Sequence, residues 1–201
     1  MPSLSPAADP LPLVEQWLSE AAGETRKNPW AMALASVASG GRPSVRYVLL
    51  KHLSREPPFV TFYTNYGSRK AHELDTSGVA AAVLYWPNFG RQLRFEGRVE
   101  RSPVADSDAY FATRPRMSQL NAWASEQSAP IDSPDDMQDR LDARLAEFAD
   151  TASVSRPDSW GGYRLYLDVI EFWLEGHDRF HERLRYDRAA NGAWSNRYLQ
   201  P

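Results

Sequence analysis

The sequence predicts a mainly antiparallel β fold with helices inserted in its middle, closed as a barrel or a partly open barrel. Three observations carry that expectation. At least six strand-length runs are spread along the 201 residues and separated by Gly, Pro, Asn and Ser clusters. From Gln92 to Arg101 the chain alternates, with Leu93, Phe95, Gly97 and Val99 on one face and Gln92, Arg94, Glu96 and Arg98 on the other. No G-x-G-x-x-G joins a strand to a helix and no P-loop is present, which removes the Rossmann and P-loop alternatives.

Taken in order, residues 1–8 read as a flexible tail, and 9–201 as a single domain. Asp9 and Pro10 form an N-cap and N1 pair. Leu11, Val14, Trp17, Leu18 and Ala21 then recur at helical spacing until Gly23. Ala31 to Val37 is a short strand, residues 39–43 a turn, and Val45 to Leu53 a second strand. Pro57-Pro58 interrupts before a third strand, Phe59 to Thr64. Ser68 caps a helix reaching about Asp75. The unbroken apolar run Val79 to Trp86 suits a strand buried on both faces. Helices follow over Pro103 to Thr113, Ser118 to Ser125 and Asp135 to Ala149, then a polar linker to Ser159. Gly162 to Trp173 reads as one long strand. His181 to Asp187 and Trp194 to Tyr198 form a hairpin around Asn191-Gly192.

Composition removes several function classes. A net charge of −3 argues against a general nucleic-acid surface, so the basic residues work locally. There is no cysteine, hence no disulfide, thiolate metal site or cysteine nucleophile, which fits a reducing cytoplasm. No segment approaches the roughly 18 apolar residues of a membrane span. The first nine residues lack the basic and apolar regions of a signal peptide. The four histidines, His52, His72, His177 and His181, lack metal-ligand spacing, and no metal is expected. Hydrolase and zincin motifs are absent, so an enzyme built on this chain would rely on an organic cofactor.

What remains are short clusters of Arg, Lys, Ser, Thr and Tyr beside strand-like runs, the donors that grip phosphate esters. In Arg46 to Lys51, alternation sends Arg46, Val48 and Leu50 to one face and Tyr47, Leu49 and Lys51 to the other. Ser68-Arg69-Lys70 opens a helix, where backbone N–H groups favour anions. Tyr110, Arg114 and Ser118 recur every four residues, and Pro115 would break the helix and turn its ends around a small anion. Arg179 and His181, two apart, would share a strand face. Each cluster also has a plain reading as solvated surface. Several together suggest more than one bound phosphate.

The order of these segments resembles the pyridoxine (pyridoxamine) 5′-phosphate oxidase family. The matching stretches are 46–51, 62–70, Gln92 in its strand, 110–119, 123–128, 160–162, 170–173 and 179–183, spanning about Asp9 to Pro201. The resemblance implies an FMN-binding split β-barrel, assembled as a homodimer with FMN at the interface. It implies FMN contacts from Arg46, Tyr47, Val48, Leu49, Leu50, Lys51, Tyr63, Thr64, Arg69, Lys70, Gln92, Gln127, Ser128, Trp173 and Arg183. The substrate phosphate would be held by Lys51, Tyr110, Arg114 and Ser118, with Arg179 and His181 over the substrate ring as the catalytic pair. The implied reaction is oxidation at C4′ of pyridoxine or pyridoxamine 5′-phosphate to pyridoxal 5′-phosphate, with dioxygen as acceptor and hydrogen peroxide as product. Phe180 stands where the family usually has Leu, and Met117 where a small or acidic residue is common. The N-terminus lacks the Arg-rich segment that covers the substrate in longer members. Two alternatives stand beside this reading. One is a flavin oxidase of the phenazine-pathway type, suggested by 181–188 and 197–201. The other is a non-catalytic carrier of FMN or pyridoxal phosphate.

Overall fold

An apolar stripe on a short helix has to be covered, and here it closes one side of a β-barrel. The computed structural model describes residues 3–23 and 27–201. Helix α1 (Leu11–Ala22) buries Leu11, Val14, Trp17, Leu18 and Ala21. Trp17 meets Trp86 and Phe172 edge-on, with ring centroids 6.4 and 5.1 Å apart. The helix starts one residue later than expected. Pro10 occupies the cap, while Asp9 still accepts the Leu11 N–H at 2.9 Å.

The strands are β1 (Ala31–Val37), β2 (Pro43–Leu49), β3 (His52–Arg55), β4 (Pro58–Asn65), β5 (Val79–Trp86), β6 (Arg91–Arg101), β7 (Trp160–Tyr166), β8 (Val169–Leu174), β9 (Glu182–Arg188) and β10 (Trp194–Leu199). All pair antiparallel. One path runs β10-β9-β8-β6-β5-β1-β2, and β3-β4-β7 joins it through β6. Helix α2 (Arg69–Ser77) sits between β4 and β5. Helices α3 (Val104–Ala112), α4 (Arg116–Ala124) and α5 (Pro134–Glu147) lie between β6 and β7. Among the described residues, no helix is long and apolar enough to cross a membrane.

Strand β6 changes partner along its length. Residues Arg91–Glu96 pair with β8 and Val99–Arg101 with β7, while β5 lines the other edge. Gly97 marks the changeover. A Cβ there would stand 2.1 Å from the Tyr166 carbonyl oxygen, so only glycine lets the two strands cross.

Several expectations need correction. The run Val45–Leu53 is two strands, because the Lys51 N–H leaves the β2 line and donates to Thr61 O at 2.8 Å. The run Gly162–Trp173 is also two, split where Leu167 N–H donates to Pro58 O and Asp168 N–H to Glu96 O. The uninterrupted apolar run of β5 alternates in burial, with Val79 and Tyr85 about half exposed in the protomer. Helix α4 begins two residues before Ser118, at Arg116. The described part of the expected tail is docked. Leu4 is 5% exposed, its N–H donates to Glu182 Oε2 at 2.8 Å, and its carbonyl accepts the Tyr198 hydroxyl at 2.7 Å. An apolar anchor among Ser and Pro, with both backbone groups satisfied, explains why it is held. Residues 1–2 of that expectation lie outside the described residues.

Candidate active site

Proline cannot continue a helix, and Pro115 ends α3 and caps α4. The corner that results carries Tyr110, Arg114 and Ser118 into one cavity of about 620 Å³. Lys51 reaches the same cavity from the end of β2, with its Nζ 5.9 Å from the centre of the Tyr110 ring. A three-ring stack forms one wall. Tyr63 lies 4.1 Å from Tyr110 and 5.2 Å from Trp160, nearly parallel to both. Burial, helped by Asp106 and Tyr110, pushes the Tyr63 hydroxyl up to about 12, so it stays a phenol. The Arg114 guanidinium stacks 4.5 Å from the Trp160 ring. Its Nη1 is buried with no protein partner, and burial lowers its pKa. A buried guanidinium nitrogen without an acceptor is suited to receive an anionic ligand.

Tyr47, Val48, Leu49, Thr64, Lys70 and Gln127 border the same cavity. Ser68 caps α2, and Lys70 turns back beneath it. Lys70 Nζ donates to Gln127 Oε1 at 2.6 Å and Thr64 Oγ1 at 3.0 Å. Burial, reinforced by the Arg46 charge, lowers Lys70 to about 8. A second cavity, lined by Arg69, Gln127 and Ser128, shares Asn65, Ser125 and Gln127 with the first. Arg46 and Leu50 line neither. Leu50 is in the core, and Arg46 lies behind the wall, paired with Glu73 at 3.1 Å. Arg69 Nε donates to the same carboxylate at 2.8 Å. Burial alone would raise the Glu73 pKa, but hydrogen bonds from Ser36, Ser44, Arg69 and Arg46 outweigh it and hold it at about 2.

A second group forms elsewhere. Gln92, Trp173 and Arg183 stand in one cross-strand row over β6, β8 and β9. The Trp173 and His181 rings are 4.6 Å apart. Buried Glu171 accepts Arg183 Nε at 2.9 Å and Arg94 Nη1 at 3.0 Å. Arg179 and His181 are not on a strand, contrary to expectation, but in the turn between β8 and β9. Asp178 and Arg179 adopt left-handed φ of 51° and 66°, and Gly176 N–H donates to His181 Nδ1 at 3.3 Å. A Cβ on Gly176 would lie 1.8 Å from the Phe180 carbonyl oxygen, so the turn closes backbone on backbone. None of these five residues lines the first cavity, and β5 and β1 separate β6 from β2. One protomer therefore does not bring the two groups together.

Sequence comparison draws both groups into one family. Residues 18–148 match the family described as pyridoxamine 5′-phosphate oxidase. The chain belongs to that family. Residues 160–201 match the C-terminal dimerisation region of pyridoxine 5′-phosphate oxidase, so the second group lies largely within a dimerisation segment of this oxidase family. The chain is 45% identical to a pyridoxine/pyridoxamine 5′-phosphate oxidase of Burkholderia cenocepacia, over 97% of this chain and 90% of the relative. It is 46% identical to one from Rubrobacter xylanophilus, over 96% and 88%. Among solved structures, PhzG from Burkholderia lata in complex with tetrahydrophenazine-1-carboxylic acid superposes with a TM-score of 0.89 at 31% identity, covering 98% of this chain and 95% of that one. A pyridoxamine 5′-phosphate oxidase-related, FMN binding protein from Nostoc punctiforme superposes at 0.77 with 16% identity, over the whole of both chains, which speaks for the fold alone. The fold is the split barrel of this oxidase family.

The wall residue Trp160 and the buried carboxylates Glu73 and Glu171 were not singled out from the sequence as site residues. The Trp160-Gly161-Gly162 step was the available signal for the first. A Cβ on Gly161 would collide with the Tyr66 ring and one on Gly162 with Tyr63, which is how β7 comes close behind the stack.

Proposed function

We propose that the protein is an FMN-dependent oxidase of pyridoxine 5′-phosphate or pyridoxamine 5′-phosphate, yielding pyridoxal 5′-phosphate and acting as a homodimer. The observation that carries the reading is the convergence of Lys51, Tyr110, Arg114 and Ser118 on one cavity, with Lys70 and Gln127 on its border leading to Arg69 and Ser128 in the adjoining one. Two donor groups on adjoining cavities that share Asn65, Ser125 and Gln127 suit two phosphate esters, one of substrate and one of cofactor. The donor set fits FMN. Lys70 and Arg69 supply charge at a helix N-terminus, and the exposed faces of Tyr47 and Leu49 border a space for a flat ring.

When bound, FMN would supply the two-electron redox chemistry, oxidation of the substrate at C4′ with dioxygen reduced to hydrogen peroxide. The protein's own part is to bind and orient. Arg114, Lys51, Tyr110 and Ser118 hold the substrate phosphate and set where C4′ lies. The Tyr63–Tyr110–Trp160 stack walls that end of the site with three nearly parallel rings. Arg179 and His181 act over the substrate ring. Because the Gly176 N–H can only donate, His181 Nδ1 accepts and Nε2 carries the ring proton, leaving it to donate towards a ligand. Gln92, Trp173, Arg183, Arg179 and His181 complete the site of the second protomer, through the dimerisation segment.

The PhzG likeness supports a second reading, oxidation of a tricyclic carboxylic acid. A carboxylate can be held by one guanidinium, whereas four converging donors suit a phosphate dianion, and this favours the vitamer. The test is the visible spectrum of the purified protein, followed anaerobically after adding pyridoxine 5′-phosphate or tetrahydrophenazine-1-carboxylic acid. Bleaching by the phosphate ester supports the proposal. Bleaching by the tricyclic acid alone overturns it, and bleaching by neither points to the carrier.

A further inference from the structure

Glu73 is 5% exposed in the middle of α2, yet it is surrounded by donors from three elements. Oε2 accepts the hydroxyls of Ser36 on β1 and Ser44 on β2, each at 2.5 Å, and Arg46 Nη2 at 3.1 Å. Oε1 accepts Arg69 Nε at 2.8 Å. Arg46 is fixed further, with Nη1 donating to Leu34 O at 3.1 Å and to Ser36 Oγ. A buried ion pair is a weak way to stabilise a fold, because desolvation offsets most of the attraction. Apolar residues would fill the same space at less cost. What the carboxylate adds is geometry, since it holds two guanidiniums from different elements at set angles beside Lys70. The charges also balance. Three cations less one carboxylate leave two positive charges, the complement of a phosphate monoester dianion.

We propose that Glu73 is the positioning residue of the flavin phosphate subsite: braced from behind by Arg46, it orients Arg69 beside Lys70 to receive the phosphate in one geometry. The proposal rests on the reading that Arg69 and Lys70 hold the FMN phosphate.

Positioning and charge make opposite predictions. If Glu73 mattered only as a charge, its removal would leave a more positive subsite and FMN would bind more tightly. If it positions the arginines, FMN binds more weakly although the site is more positive. The experiment titrates apo-protein with FMN and with riboflavin, which lacks the phosphate, following flavin fluorescence alongside a thermal melt. For Glu73→Gln the FMN Kd rises about tenfold or more, the loss of one charge-assisted contact, and the riboflavin Kd stays put. Glu73→Asp keeps the charge but shortens the arm by one methylene, and it too weakens FMN selectively. Unchanged or tighter FMN binding in both variants overturns the proposal. So does an equal loss of FMN and riboflavin affinity in both, which marks Glu73 as a support of the fold alone. Arg69→Ala and Lys70→Ala check the underlying reading separately. If both retain the preference for FMN over riboflavin, the phosphate is held elsewhere and that reading falls, whatever Glu73 does.

Discussion

The two residue groups lie apart in one protomer, and a homodimeric site built from both makes a sharp prediction. Arg114→Ala cripples the cavity group and Arg179→Ala cripples the turn group. Arg114 stacks on Trp160 and carries a buried nitrogen with no protein partner. Losing that charged donor should cost about 1.5–3 kcal/mol of substrate binding, or roughly 10- to 100-fold in kcat/KM. FMN affinity should be spared. A mixed dimer of the two variants holds one doubly damaged site and one site in which both groups are intact. Random pairing makes about half of all dimers mixed, so about a quarter of the wild-type sites are restored. Co-expression with two different tags, followed by sequential affinity capture, isolates mixed dimers that should show about half of wild-type kcat/KM per dimer. Mixed dimers no more active than the mean of the two parents would refute the composite site. The two groups would then serve different purposes, or one protomer would supply the whole site.

Three further outcomes follow from local chemistry. Lys70 sits at about 8 in the free protein, and a bound phosphate favours its charged form, so FMN binding takes up a proton above that pH. The FMN Kd should rise as pH passes upward through about 8, by at most about tenfold per unit, and a Kd that is flat from pH 7 to beyond 9 contradicts it. The Glu73 pKa is depressed from 4.5 to about 2 in the folded state, so its contribution to stability is complete above about 4.5 and fades as pH falls towards 2. Urea melts at decreasing pH should show a shallower acid loss in Glu73→Gln, and an identical slope would exclude that linkage. Gly176→Ala forces a Cβ against the Phe180 carbonyl, displacing Arg179 and His181. A misplacement near 1 Å costs on the order of 100-fold in kcat/KM while the flavin spectrum is retained, and unchanged kinetics would remove the turn from the site.

Much of this was readable in the sequence. The alternation of Gln92–Arg101 survives intact because β6 is amphipathic over that span. The Asn191-Gly192 turn is where the signal put it, with Gly192 at φ 87°. Pro115 ends a helix for the reason its chemistry dictates. The two overlong strands were not readable as breaks, because Leu50 and Leu167 are both buried and keep the apolar pattern continuous. Their breaks come from hydrogen bonds to β4, Lys51 to Thr61 and Leu167 to Pro58, which extend the ladders of neighbouring strands and leave no mark in the local pattern. The same holds for the site. Lys51, Tyr110, Arg114 and Ser118 announce themselves as donors, but a parallel stack of Tyr63, Tyr110 and Trp160 needs three distant segments to meet. Arg179 and His181 read as a pair on one strand face, whereas they lie in the turn between β8 and β9. Nothing in their two-residue spacing distinguishes a strand from a turn whose residues adopt left-handed angles without glycine.

Strand β6, with one edge divided between β8 and β7 and the other on β5, decides how the molecule can open. Freeing all its backbone amides requires both edges of the strand to open, and Gly97 leaves no slack at the crossing. Its amide protons should therefore be among the slowest to exchange with solvent, whereas those of helix α5, which buries no residue, should exchange through local fraying. Gln92 lies near one end of this strand, and Arg101 at the other donates to Asp75 on α2. Helix α2 and the Gln92–Trp173–Arg183 row are thus both tied to one slow-exchanging element.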